Sequence, residues 1–164
     1  MRDGVLKLGL SDSHRYDVKR IDVKVYSNTL ESAIVRGAAN LSMKEGLDSR
    51  KLSITVNGAG ELNMKDIEVD KSIVIDINGA GDVNISDIEA DDISVDVSGA
   101  GDVEMSGIES NTLSVAIKGA GSAGLSGKTG TAKLRVSGVG SINAERLEAK
   151  NYDASKSGVG KISY

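Results

Sequence analysis

A glycine tripeptide returns along this chain at an almost fixed interval, and that interval constrains the fold more than any other feature. Gly-Ala-Gly occupies Gly58 to Gly60, Gly79 to Gly81, Gly99 to Gly101 and Gly119 to Gly121. Gly-Val-Gly occupies Gly138 to Gly140 and Gly158 to Gly160, and a degenerate "GAA" begins at Gly37. The first glycines are therefore spaced by 21, 21, 20, 20, 19 and 20 residues. Self-similarity at this period marks a solenoid whose copies cannot bury their inner faces alone and must stack.

Between the glycines the apolar residues alternate with polar ones, which is the period of a strand with one buried face. The first run of each copy gives Leu52, Ile54, Val56; Ile73, Ile75, Ile77; Ile93, Val95, Val97; Leu113, Val115, Ile117; and Ala132, Leu134, Val136. A second run follows the glycines, as in Leu62 and Met64, Val83 and Ile85, or Val103 and Met105. A third gives Ile67 and Val69, Ile88 and Ala90, and Leu147 and Ala149. Three short strands per copy, each paired in parallel with its equivalent in the next, predict an all-β, single-stranded parallel β-helix of about seven coils, 19–21 residues each. At about 4.8 Å per coil the rod is roughly 30 Å long or a little more. We expect one domain over 1–164, with 1–29 as irregular strands (around Gly4 to Leu10 and Ile21 to Tyr26) and a candidate cap, and 30–164 as the coils.

Composition agrees with ladders of small aliphatics. Phe, Trp and Pro are absent, Tyr occurs four times and Gly 20 times, so no large rings fill the core. The formal net charge is -4, which argues against a chain that works by neutralising phosphates, and no nucleic acid partner is expected. Absence of cysteine excludes disulfides and thiolate metal sites. No apolar run approaches the roughly 20 residues of a membrane helix, so no membrane insertion is expected, and "MRDGVLKLGLSDSH" does not read as a signal peptide.

The glycines invite a cofactor reading, because "GAGSAG" at 119 to 124 has dinucleotide-turn spacing. Gly119 and Gly121 have counterparts in the other copies, however, and Gly124 stands where they carry Asn63, Asn84 and Glu104. No helical apolar stripe follows to supply the N-terminus that binds a pyrophosphate. "GLSGKTG" fails as a phosphate loop because five residues, not four, separate Gly121 from Gly127. No cofactor is expected. The corners are read instead as sharp turns favouring positive φ at glycine and a side chain no larger than methyl between the glycines, widened to Val139 and Val159 near the C-terminus, with Asn57, Asn78 and Ser98 forming a polar ladder before them. Ser126 to Gly130 is expected to be a loop, with Lys128 in the place of Ile67, Ile88 and Ile108.

Stacking aligns Glu61, Asp82 and Asp102 as a carboxylate row, the weak candidates for a calcium site. A solvated row is preferred, since single carboxylates in one column supply few ligands. Carboxylate pairs such as Asp91 with Asp92 or Asp66 with Glu68 do not stand out in so charged a surface, and His14, the sole histidine, lies in an irregular stretch. No catalytic residue is assigned. At the C-terminal end Lys156 takes the place of Val56, Ile77 and Val97, and is read as a gatekeeper against further stacking.

The carriers "LSITVNGAGELNM", "IVIDINGAGDVNI", "ISVDVSGAGDVEM" and "LRVSGVGSINAERLEA" resemble the head GIN domain of the bacterial auto-transporter adhesin family. The resemblance implies a right-handed β-helix in an extracytoplasmic protein (cell-surface, secreted or periplasmic), further strands upstream of "DGVLKLGL", and a non-catalytic adhesin or scaffold role. The expected partners are an extracellular protein or glycan, with homo-oligomers through the coil ends. The alternative is a polysaccharide-binding or polysaccharide-cleaving β-helix, as in the pectin-cleaving enzymes of that architecture.

Overall fold

The computed structural model describes residues 27, 29–38 and 40–164. The strands expected near Gly4 to Leu10 and Ile21 to Tyr26, the cap assigned to 1–29 apart from its last few residues, and His14 lie outside the described residues. The described chain is a parallel β-solenoid of about 6 turns with no helix. Its seven first-glycine corners, from Gly37 to Gly158, bound six complete turns.

Four β segments follow in order: β1, Ser32–Ala38; β2, Leu41–Gly138; β3, Ser141–Gly158; and β4, Lys161–Ser163. Hydrogen-bonded pairing continues round the corners, so β2 is one unbroken segment of 98 residues. The register is that of the repeat. Ser32 to Ala38 pair with Ser53 to Ala59, and Thr131 to Gly138 pair with Asn151 to Gly158. The ladder breaks at Val139 and Val159, yet their N–H groups still donate to the carbonyls of Gly119 and Gly138 one coil below, at 2.8 and 2.9 Å.

Each alternation seen in the sequence points its apolar members inward. Ile75, Val95 and Val115 are fully buried, 0% exposed, and belong to one continuous core with Leu52, Ile85, Ile108 and Leu134. Each such side chain contributes on the order of 1.5–3 kcal/mol on burial. The third wall narrows the tube, with Ser49, Val69, Ala90, Ser110, Thr129 and Ala149 in its inner column. Ser49 and Thr129 are its buried polar members, and Ser110 Oγ donates to Thr129 Oγ1 at 2.9 Å.

The corners have the positive φ expected at their first glycines but differ from the expectation at the residue between the glycines. The first glycines take φ between 112° and 138° from Gly58 onward, a region that side chains rarely adopt. A methyl group on Gly79 or Gly99 would also overlap the carbonyl oxygen of the first glycine one coil earlier. The second glycines, such as Gly101, have no positive φ but meet the same obstacle, here the Gly81 carbonyl. Size at the middle residue is not what the corner limits. That residue points to solvent, with Val139 69% and Val159 84% exposed, so the methyl-only expectation is corrected.

Ser126 to Gly130 is also not a loop. It stays inside β2 and pairs with β3, with Gly127 opposite Leu147 and Lys128 opposite Glu148. Gly127, not Lys128, therefore occupies the inward column of Ile108 and Leu147. The misplacement has a physical source: the register slips by one residue between Gly124 and Ser126, a bulge that a fixed repeat alignment does not show.

Candidate functional site

The carboxylate row lies on the second wall, just past the glycine corners. Its members do more than face solvent. The Asp102 N–H donates to Asp82 Oδ1 at 3.2 Å, and the Ser122 N–H and Oγ donate to Asp102 Oδ1 at 3.0 and 2.6 Å. At the start of the row, the Glu61 N–H donates to Asn40 Oδ1 at 3.1 Å. Each of these side chains thus satisfies a backbone donor that leaves the corner one coil above, as N-terminal caps do for helices. Where the side chain is Ser122 or Ser141, the row ends. Among the described residues no three Asp, Glu or His groups converge closely enough to hold a metal ion.

Beside this row runs a second outward column, Asn63, Asn84, Glu104, Gly124 and Asn143. A shallow groove of about 330 Å³ opens between the two columns, lined by Asp82, Asn84, Asp102, Glu104, Ser122 and Gly124. A neighbouring depression of about 550 Å³ extends it over Asn63, Met64, Ser86 and Ser106. Gly124 matters to this wall through what it lacks. A side chain there would strike the Glu104 carboxylate, which instead reaches across the empty position toward Arg146 two coils away, with Arg146 Nη2 3.3 Å from Glu104 Oε1. Both groups are more than half exposed, so the pair is worth little stability and chiefly shapes the groove edge.

The first wall is flatter. Its outward columns carry Ser53, Thr55, Val74, Asp76, Ser94, Asp96, Ser114 and Ala116, then Lys133 and Arg135. Asn78 Nδ2 donates to Asn57 Oδ1 at 3.2 Å, so the expected polar ladder before the corners begins there. Lys118 Nζ donates to Asp96 Oδ1 at 2.7 Å, and this bond, with the field of Asp96 and a smaller one from Asp76, raises the lysine pKa above its ordinary value.

Several features escaped sequence reasoning. A second corner holds Asp66 and Asp87 at φ 54° and 57° and Gly107 at 64°, the left-handed region that Asp tolerates better than most residues. The signal was present, since glycine replaces aspartate within one column. Near the C-terminal end the Tyr152 hydroxyl donates to the Leu147 carbonyl five residues earlier, and its ring stacks on Tyr164 at 4.8 Å between centroids. Lys156 sits in register over Val136 at this end and is exposed.

The chemistry available is that of polar recognition: amide, hydroxyl and carboxylate groups on open walls, several already committed to backbone donors. Among the described residues no helix is long and apolar enough to cross a membrane. No curated protein and no solved structure gives a significant match to the chain. A family model matches residues 1–86 and again 72–164, an overlap natural in a solenoid, where one pattern can be laid on the chain at more than one coil. With that match across the whole length, and the glycine-cornered β-solenoid it accompanies, the chain belongs to the family described as "Putative auto-transporter adhesin, head GIN domain".

Proposed function

We propose that the coils act as a rigid, non-catalytic recognition or spacing module of an extracellular or cell-surface protein, the location the family description implies. The observation that carries this reading is the use made of the polar groups. Asp82 and Asp102, which a hydrolytic or metal-dependent reading would require to be free, serve the backbone of the next coil. Repeated open walls on a stiff rod suit the binding of an extended protein segment or glycan.

The test is incubation with polygalacturonate and a panel of host-type glycans, scoring retention and product release together. Retention of at least one polymer without product supports the module. Turnover, abolished by Asp102→Asn, would instead support the polysaccharide-cleaving alternative.

A further inference from the structure

The charges of this chain are sorted along the rod. Residues 71–111 carry ten acidic side chains and one basic, Lys71, a net of -9. The adjoining residues 112–164 carry eight basic and three acidic, a net of +5. Residues 51–70 have four acidic and two basic groups, and residues 31–50 have three of each. Opposite signs thus meet near the middle of the described coils, between the coil of 92–111 and that of 112–130.

From this arrangement we propose that two copies of the chain associate side by side and antiparallel through the first wall. A two-fold axis along the strand direction at the 111/112 junction lays each acidic coil on a basic one. The coil of 71–91 then faces 131–150 of the second copy, and 92–111 faces 112–130. A two-fold of this kind keeps position within the wall, so residues in the same outward column oppose one another. Asp76 and Arg135 share such a column, with Asp96 and Ala116 between them, and the symmetry sets Asp76 against Arg135 twice. The Lys118 to Asp96 bond sits beside the axis and meets its own copy, so four alternating charges gather there. Ser94, Ser114 and Ala116 around them are small and let two flat walls approach.

The competing arrangements lack this complementarity. End-to-end stacking through the last coil would leave the acidic coils of 71–111 without a basic partner. A polyanion running along the rod would meet the -9 coils immediately after the basic ones. Among the described residues Arg135 makes a long contact to Asp153, 3.9 Å with both partners mostly exposed, which competes weakly. The inference does not depend on the adhesion reading.

The experiment is sedimentation of the whole chain at about 50 mM and about 500 mM NaCl, a range over which exposed charges become screened. A dimer at low salt whose dissociation constant rises about tenfold or more at high salt is expected. Asp76→Arg and Arg135→Asp should each weaken it about tenfold, and the double variant D76R/R135D should recover most of the loss, all three keeping the wild-type circular dichroism. A monomer in both salts overturns the proposal, as does a dimer indifferent to the single changes or a folded double variant that fails to recover. Monomer behaviour combined with Arg135-dependent retention on polygalacturonate would reassign the basic coils to an acidic glycan.

Discussion

The two kinds of corner in each coil solve the same problem at different cost. Both place residues at positive φ: the glycine corner at 112–138° from Gly58 onward, and the second corner at 54–64° through Asp66, Asp87 and Gly107. The first excludes side chains outright from Gly58 onward, whereas the second does so only beside the bulge, at Gly127, where a Cβ would meet the Ile108 backbone. At the first corner the carbonyl of one coil rises past the α-carbon of the next to reach an N–H beyond it, leaving room for hydrogen alone. At the second corner the nearest obstacle to a Cβ on Gly107 is the flexible carboxylate of Asp87, and aspartate itself occupies the position in two coils. Positive φ favours glycine, and backbone contact between coils makes it obligatory.

Substitutions that separate these two causes give graded effects. Gly99→Ala combines an unfavourable φ with overlap on the Gly79 carbonyl and should cost roughly 3 kcal/mol or more in chemical denaturation. Gly101→Ala has no positive φ and meets only the Gly81 carbonyl, so roughly 2 kcal/mol is expected; a loss equal to that of Gly99→Ala would show that φ contributes nothing. Asp87→Val, a branched residue in the left-handed region without the backbone clash, should lose about 1 kcal/mol. Ala100→Val alters a corner residue that faces solvent, as Val139 and Val159 already do, and should stay within about 0.5 kcal/mol in either direction.

The ends sharpen the contrast in another way. In the middle coils the third inward column of the first run is filled by Val56, Ile77 and Val97, and at the end by exposed Lys156. We propose that this charge limits stacking by further chains, with the Tyr152 and Tyr164 stack closing the core beside it. Lys156→Val is expected to raise self-association in concentration-dependent sedimentation, and an unchanged profile would remove the gatekeeper role.

Sequence periodicity was enough to read the fold because burial alternates with the strand period and the glycines mark each coil. The inward ladders of Ile75, Val95 and Val115 and the corner glycines stand where the spacing put them. What it did not reveal depends on local register. One extra residue opposite Leu125 shifts β3, which is why Gly127 and not Lys128 replaces Ile108 and why Ser126 to Gly130 remains a strand. The Glu61, Asp82 and Asp102 row was visible, but its use was not. Whether a carboxylate meets solvent, a cation or the next coil's N–H depends on the tilt of the corner, which residue order does not encode. The bond from the Tyr152 hydroxyl to the Leu147 carbonyl, five residues back, likewise has no counterpart in the other coils to announce it.

Everything rests on vertical alignment of equivalent residues, and a pair of engineered cysteines reads that alignment directly because the chain has none of its own. Ser137 and Ser157 are exposed register partners on adjacent coils, whereas Ser137 and Ser155 are two residues out of step. The double variant Ser137→Cys/Ser157→Cys should oxidise to a single intramolecular disulfide in the folded protein, since neighbouring strands at about 4.8 Å fall within the Cα range of such bonds. Ser137→Cys/Ser155→Cys should stay reduced under the same conditions. Closure of the shifted pair in preference to the aligned one would contradict the stacked coil.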